Sequence, residues 1–171
     1  FFDNARKILE KKKPKVTPFV PKPHQKNAIK LAHKHFVKEN NSRGKLIFPC
    51  GSGKSLTGFW MMEKLKANST VVAVPSLSLV KQTLEVYLKQ VVAKNKNVKW
   101  LCICSDEGIG KSDDVVTYTR DLPVPCTTDP DYIKKWLKDN KNDNIIIFTT
   151  YQSGRLIAEA SKSCLLYTSD A

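Results

Sequence analysis

A segment in which two glycines precede a lysine and a serine has the composition of a phosphate-binding site. Residues 49–55 read PCGSGKS, after an apolar run at residues 46–48 and before a helix-forming run at residues 56–66. Glycines permit a tight turn whose backbone N–H groups converge on phosphate oxygens, and the N-terminus of the next helix adds partial positive charge. The lysine supplies a point charge and the serine hydroxyl a ligand for Mg²⁺. The spacing predicts a phosphate-binding loop between a strand and a helix.

Six residues of this loop are expected to hold ATP: Cys50, Gly51, Ser52, Gly53, Lys54 and Ser55. Lys54 is the candidate catalytic residue, because its charge would stabilise the phosphate, and Ser55 is the candidate Mg²⁺ ligand. Phe48 stands where the eight-residue form of this motif usually begins with Gly or Ala. The alternative is a Gly-rich turn ahead of an ordinary helix, which the order of strand, loop and helix disfavours.

A second polar group lies upstream of the loop. Residues 21–29, PKPHQKNAI, resemble the adenine-recognition segment of superfamily 2 helicases and translocases. A glutamine amide carries both a donor and an acceptor, so that Gln25 can pair with the N6 and N7 edge of adenine. Without the loop downstream, an exposed helix glutamine would be the simpler interpretation. With the loop, we expect Gln25 to bind the adenine base.

Two later segments resemble nucleic-acid-contacting motifs of the same superfamily. Residues 71–82 place a strand, a proline, Ser76 and a helix in the order of motif Ia, where Ser76 and the free N–H groups of the helix start would hold a DNA phosphate. Residues 145–154 contain the TTYQS sequence that these motors carry before their acidic motif, with Thr150 and Tyr151 next to the nucleic-acid backbone. The alternative is that these residues only cap the helices that follow them.

These four segments follow one another as they do in superfamily 2, so the chain resembles part of the first RecA-like motor domain of such an enzyme over residues 20–160. The resemblance implies an α/β fold of the RecA-like P-loop NTPase class, a mostly parallel sheet with helices on both faces. It also implies an ATP-dependent DNA helicase or translocase, with ATP and Mg²⁺ as cofactors and DNA as the partner. Residues 102–110 and 122–131 further resemble single-polypeptide restriction-modification enzymes and related predicted helicases.

Apolar runs that alternate with helical patterns predict a parallel α/β fold from the periodicity as well. Strands are predicted at residues 45–49, 70–75, 98–104 and 144–150. Helices are predicted at residues 3–13, 23–41, 56–66, from 77 onward, 131–138 and 151–161, with a long loop at 105–128. Pro23 suits the first turn of its helix and Asp129 suits an N-cap. A row of lysines at i+4 spacing predicts a solvated helix face: Lys26, Lys30, Lys34 and Lys38.

We expect three segments along the chain: an upstream helix and Pro-containing linker at 1–20, the N-terminal part of motor domain 1 at 21–163, and a non-native tail at 164–171. The tail, CLLYTSDA, resembles the translation of a sequencing-library adapter. No D-E-x-H or D-E-x-D motif follows Gly154, so we expect the motor sequence to be truncated before the strand that carries it. The sheet would then have an exposed edge, and we expect a fragment of low solubility that binds nucleotide weakly and hydrolyses almost none.

Composition and charge exclude several protein classes. The chain has 171 residues, 41% of them hydrophobic, which suits one globular domain, and no apolar run is long enough to span a membrane. No secretion signal is visible, so we expect a cytoplasmic protein. The formal net charge of +13 favours a polyanionic partner, although an AT-rich genome also produces Lys-rich surfaces. Five cysteines without paired CxxC spacing predict neither a disulfide framework nor a zinc site, and Cys102 and Cys104 are expected to be buried.

Two other functions fit parts of this sequence. A small P-loop kinase that phosphorylates a metabolite would share residues 51–55 but would not need Gln25, residues 75–82 or residues 149–153. Its ATPase would be independent of DNA, and it would turn over a small acceptor. A basic nucleic-acid-binding module without ATPase activity would depend on the lysine excess alone, and Lys54→Ala would leave its DNA binding unchanged.

Overall fold

A computed structural model of the chain describes residues 16–105, 119 and 122–162. The helix predicted at 3–13, most of the loop predicted at 105–128 and the tail at 164–171 lie outside these residues. The described residues fall into two compact units. The first unit contains residues 16–67 and 85–96, and the second contains residues 68–84, 97–105, 119 and 122–162.

The first unit is helical. Helix α1 (Pro23–His33) runs into a π-helical turn (Lys34–Lys38), and helix α2 (Lys54–Leu65) packs against α1. Pro23 opens α1 as predicted, at a position where its missing N–H is not needed. The prediction of one α-helix to residue 41 is wrong. The helix widens, with Glu39 N–H donating to Lys34 O, and ends where Asn40 adopts a positive φ of 54°.

The faces of these helices follow the sequence pattern. Ala28 of α1 is buried, whereas the four lysines at i+4 spacing are exposed, as predicted: Lys26, Lys30, Lys34 and Lys38. Phe59 of α2 is fully buried, and its ring lies edge-on to that of Tyr87, with the centroids 5.1 Å apart. Tyr87 belongs to helix α3 (Leu77–Ala93), whose residues 85–93 are part of the first unit.

The prediction of a strand at residues 45–49 is wrong. Among the described residues no strand pairs with this segment, and it runs as extended coil into the glycine loop. Two of its apolar side chains face solvent, Leu46 at 44% and Ile47 at 79% exposure. An apolar run becomes a strand only when a neighbouring strand accepts and donates its backbone hydrogen bonds, so composition alone did not decide the outcome.

The second unit contains a three-stranded parallel sheet in the order β1-β3-β2, formed by β1 (Ser69–Val74), β2 (Lys99–Ile103) and β3 (Ile145–Thr150). These bounds agree with the predicted strands to within one residue. Every residue of β3 is buried, as a continuous apolar run in the centre of a parallel sheet requires. The parallel α/β architecture is the fold class that the sequence predicts.

Two helices cover one face of this sheet. Helix α4 (Pro130–Asp139) begins at Asp129, whose Oδ1 accepts a hydrogen bond from the backbone N–H of Asp131 at 3.0 Å, which confirms the predicted N-cap. Helix α5 (Gly154–Lys162) begins three residues later than predicted. The core between strands and helices consists of Leu101, Ile103, Ile133, Leu137, Ile145, Ile147 and Ala160. No helix among the described residues has the length and apolar character needed to cross a membrane.

Candidate functional site

The glycine loop of the first unit folds as a tight turn that ends at the start of a helix. Gly51 and Gly53 have φ values of +72° and +82°, in the left-handed region that residues with a Cβ rarely adopt. Within the turn, the hydroxyl of Ser52 donates to the carbonyl oxygen of Pro49 at 2.7 Å. Gly53 is the N-cap of α2, which begins at Lys54. The glycines therefore stand where the backbone needs them, and the loop leads into a helix N-terminus as predicted.

Gln25 lies in the first turn of α1 and reaches the loop. Its Nε2 donates hydrogen bonds to the carbonyl oxygens of Ser52 at 3.2 Å and Gly53 at 3.3 Å, and its Oε1 accepts one from the backbone N–H of Lys22 at 2.8 Å. The side chain is only 3% exposed. Both hydrogens of the amide are thus engaged by the loop backbone, so that Gln25 holds the loop against α1. The sequence predicted a contact with adenine and did not predict this one.

The fit between Gln25 and Gly53 leaves no room for a side chain. A Cβ placed on Gly53 would lie 2.6 Å from Nε2 of Gln25. At Gly51, by contrast, an added Cβ would meet no atom within 4 Å, so there is open space beside this part of the loop. The loop is thus closely packed at Gly53 and open at Gly51.

Lys54 and Cys50 are exposed at this loop. The ammonium of Lys54 folds back across the turn, donating to the carbonyl oxygens of Pro49 at 3.2 Å and Phe48 at 3.5 Å. An ammonium group that uses peptide carbonyls as acceptors can exchange them for the stronger acceptors of a phosphate group. The placement fits the predicted phosphate-binding role of Lys54.

Ser55, the predicted Mg²⁺ ligand, is the second residue of α2. It is partly buried at the helix N-terminus. Within the described ranges, no cluster of three or more His, Cys, Asp or Glu side chains could hold a metal ion. Magnesium commonly keeps few protein ligands and takes the others from water and phosphate oxygens, so a single hydroxyl is compatible with it.

Two residues outside the predicted site, His24 and Thr57, contact the loop. Nε2 of His24 lies 3.3 Å from the carbonyl oxygen of Ser52, and its ring lies edge-on to Phe48, with the centroids 5.7 Å apart. The hydroxyl of Thr57, which is fully buried, donates to Gly53 O at 3.0 Å. Thr57 could have been found, because a helical threonine often donates to the carbonyl four residues before it. No sequence signal identifies the contacts of His24 and Phe48.

In the second unit, Ser76 and Tyr151 follow the ends of two adjacent strands. Val74 and Thr150 are partners in the parallel register of β1 and β3, and the backbone N–H of Tyr151 donates to Val74 O at 3.0 Å. The hydroxyl of Ser76 accepts a hydrogen bond from the backbone N–H of Leu79 at 3.4 Å, at the start of α3. The sheet therefore brings the three residues predicted to contact nucleic acid, Ser76, Thr150 and Tyr151, to the carboxyl-terminal ends of its strands. The hydroxyl of Ser76 also caps the start of α3.

Thr150 and Tyr151 differ in how much of the side chain is exposed to solvent. Tyr151 is 65% exposed, whereas Thr150 is 6% exposed, and its hydroxyl lies 3.2 Å from that of Ser153. The backbone N–H of Ser153 also donates to Oγ1 of Thr150, at 3.4 Å, which forms the turn before α5. Thr150 thus has a local structural role, whereas the side chain of Tyr151 is exposed to solvent. The T-x-x-S spacing is a sequence signal for this turn.

Comparisons with known proteins agree with this architecture. The family model described as "Type III restriction enzyme, res subunit" matches residues 18–165. A nuclease-deletion mutant of the Type ISP restriction-modification enzyme LlaGI, solved in complex with a DNA substrate mimic, is 27% identical with a TM-score of 0.64. The match covers 85% of this chain and 14% of that one. None of the curated proteins gives a significant match.

A second solved structure is the ATP-dependent Type ISP restriction-modification enzyme LlaBIII bound to DNA, which is 26% identical with a TM-score of 0.68. The match covers 86% of this chain and 10% of that one, so the chain spans a small part of both enzymes. These findings confirm the resemblance to superfamily 2 motors and to single-polypeptide restriction-modification enzymes. The chain belongs to the family of Type III restriction enzyme res subunits, with the RecA-like fold of a helicase motor domain.

Proposed function

We propose that this chain is the ATP-binding part of an ATP-dependent DNA helicase or translocase that belongs to a restriction-modification enzyme. Residues 21–163 would be the N-terminal part of its first motor domain. Two observations about the neighbours support this: one is named as ATP-dependent, and both were solved with DNA or a DNA mimic. Because the chain spans 14% and 10% of those two proteins, the complete activity would belong to a longer protein.

The observation that carries the proposal is the way Gln25 and the glycine loop hold each other. Two glycines with positive φ, a helix that starts at Lys54 and a buried amide under the loop make one pre-formed backbone cradle. The helix start at Lys54 offers partial positive charge to an anion, and the Lys54 ammonium would leave the carbonyls of Phe48 and Pro49 to bind it.

We assign roles to the loop residues accordingly. The backbone of residues 50–53 would hold the phosphates, Lys54 would neutralise their charge, and Ser55 would ligate Mg²⁺. Mg²⁺ would supply charge neutralisation of the phosphate oxygens. Gln25 would position the loop. Its Oε1 accepts one hydrogen bond from Lys22 N–H and has a second lone pair, which would accept a hydrogen bond from adenine.

Nucleic acid would bind at the strand ends of the second unit. Ser76 and the first turn of α3 offer a helix N-terminus to a backbone phosphate, and Tyr151 offers an exposed aromatic ring beside it. Thr150 would support this end of the sheet through its hydrogen bond with Ser153 rather than contact the nucleic acid itself. The net charge of +13 would assist association with a polyanion.

A titration with fluorescent N-methylanthraniloyl-ATP in the presence of Mg²⁺ tests the nucleotide site. We expect Lys54→Ala to lower the affinity of the chain by about tenfold or more, since the phosphates lose a charged partner. Lys64→Ala is the matched control, because Lys64 is an exposed lysine of the same helix and should not change the affinity. Equal affinities of the wild-type chain and Lys54→Ala, or no binding by either, would contradict the proposal.

A further inference from the structure

Two cysteines that are far apart in sequence bring their sulfur atoms together in the second unit. Sγ of Cys104 lies 3.3 Å from Sγ of Cys126, and the thiol of Cys126 also donates toward the carbonyl oxygen of Cys104 at 3.4 Å. Cys104 stands directly after β2, and Cys126 belongs to the segment of residues 122–127. Neither cysteine takes part in the proposed nucleotide or nucleic-acid site.

The backbone holds these two sulfurs in register. The N–H of Cys102 donates to Pro125 O at 2.8 Å, and the N–H of Thr127 donates to Cys102 O at 3.0 Å. Cys102 and Cys126 form a parallel bridge, so the segment lies along β2 like a short added strand. The contact between Cys104 and Cys126 is therefore fixed by main-chain pairing on the same two segments, rather than by flexible side chains alone.

The three cysteines of this region differ in accessibility. Cys102 is fully buried and Cys104 is 2% exposed, whereas Cys126 is only partly buried. Burial raises the pKa of the Cys102 thiol, and the nearby Cys126 raises it further, so Cys102 stays protonated and unreactive. Cys126 is thus the thiol that a small oxidant reaches first, and Cys104 is the thiol next to it.

We propose that Cys104 and Cys126 form a modification site, a dithiol that hydroperoxides oxidise reversibly to an intramolecular disulfide. The Cys126 thiolate attacks one oxygen of hydrogen peroxide, which breaks the O–O bond, gives a sulfenic acid and releases one water after protonation. The Cys104 sulfur then attacks the sulfenyl sulfur, the S–S bond forms and a second water leaves. Two thiols lose two hydrogens and two electrons in total, and one peroxide is reduced to two waters. The disulfide would tie residues 122–127 covalently to the end of β2.

Peptide mapping of the wild-type chain tests this proposal without relying on any variant. The chain is treated with hydrogen peroxide, its remaining thiols are blocked with N-ethylmaleimide, and it is digested with trypsin. Trypsin separates residues 100–111 from residues 121–134. We expect mass spectrometry to find these two peptides linked, with the loss of two hydrogens, and to find them separate after dithiothreitol. Exposed Cys50 serves as the reference thiol and should carry N-ethylmaleimide or its own oxidation, without a link to either peptide.

Variants identify which cysteines form the link. Because residues 100–111 contain both Cys102 and Cys104, we expect Cys102→Ser to keep the linked pair and Cys104→Ser to lose it. Cys126→Ser should lose it as well. Recovery of both peptides with blocked or over-oxidised cysteines in the wild-type chain would overturn the proposal. So would a link that persists in Cys104→Ser, since it would run through Cys102.

Discussion

Gln25 and Gly53 lie in close contact: the Gln25 amide donates to the Gly53 carbonyl at 3.3 Å, and a Cβ on Gly53 would lie 2.6 Å from the same nitrogen. The two residues are 28 positions apart in sequence. This contact joins α1 to the start of α2 and fixes the loop between them. The shape of the loop therefore depends on both helices.

Gly53→Ala is expected to distort the loop. The added methyl would meet Nε2 of Gln25 and would force alanine into a φ of +82°, with a cost of about 1–3 kcal/mol in unfolding free energy. Gly51→Ala is the matched control, because its φ of +72° carries similar strain but its Cβ has open space. Urea denaturation should show the larger loss for Gly53→Ala. Equal losses would mean that the contact with Gln25 adds nothing.

Gln25→Glu replaces an amide donor by an acceptor that faces two carbonyl oxygens. We expect the free energy of unfolding to fall by about 1–3 kcal/mol, because the carbonyls of Ser52 and Gly53 lose their donor and the carboxylate is buried. Affinity for the fluorescent ATP analogue should fall with it. Gln82→Glu makes the same chemical change at an exposed position of α3 and should leave both quantities nearly unchanged. A stable Gln25→Glu chain that binds nucleotide normally would contradict the bracing role.

Gln90→Met is expected to stabilise the chain. The Gln90 side chain is fully buried, and neither its Nε2 nor its Oε1 has a hydrogen-bond partner among the described residues. Methionine has a similar length without the unpaired polar groups, so the free energy of unfolding should rise by about 1–3 kcal/mol. Thermal unfolding gives the measurement, with Gln82→Met at an exposed position as the control that should not gain. A lower melting temperature for Gln90→Met would show that the amide is paired in solution, for example by a buried water.

Tyr151→Ala and Thr150→Val should separate nucleic-acid binding from local stability. Tyr151 is 65% exposed, so its truncation should weaken binding of a fluorescently labelled DNA duplex with little effect on unfolding. Thr150→Val removes the hydroxyl that pairs with Ser153, so it should cost about 1 kcal/mol in unfolding free energy. Fluorescence anisotropy and urea denaturation measure the two effects. If Thr150→Val weakens DNA binding and Tyr151→Ala does not, the roles assigned to the two residues are reversed.

The parts of the fold that depend on local pattern were predictable from sequence. The all-apolar run of β3 predicts a central parallel strand, Pro23 and Asp129 mark helix starts, and Gly51 and Gly53 mark a turn. Each of these features depends on the residue's own conformational preference or on neighbours within one helical turn. The structure accordingly reproduces them to within a few residues.

Features that depend on distant partners were not predictable. Residues 45–49 have the composition of a strand, but composition does not say whether a neighbour is present to pair with them. Gln25 braces a loop whose residues Ser52 and Gly53 lie 27 and 28 positions further along the chain. Cys104 and Cys126 lie 22 positions apart. No periodicity in the sequence encodes either contact. Residues 34–38 form a π-helical turn that no pattern in the sequence indicates.

The most direct test of the central claim is an NMR titration of the isotopically labelled chain with Mg²⁺ and ATP. If the loop and Gln25 form the nucleotide site, the backbone amides of residues 50–55 and the side-chain amide of Gln25 should show the largest chemical-shift changes. The resonances of the side-chain amide of Gln82, which is exposed on α3, should not shift. Shifts confined to other regions, or no shifts at saturating ATP, would contradict the assignment of this loop as an ATP-binding site.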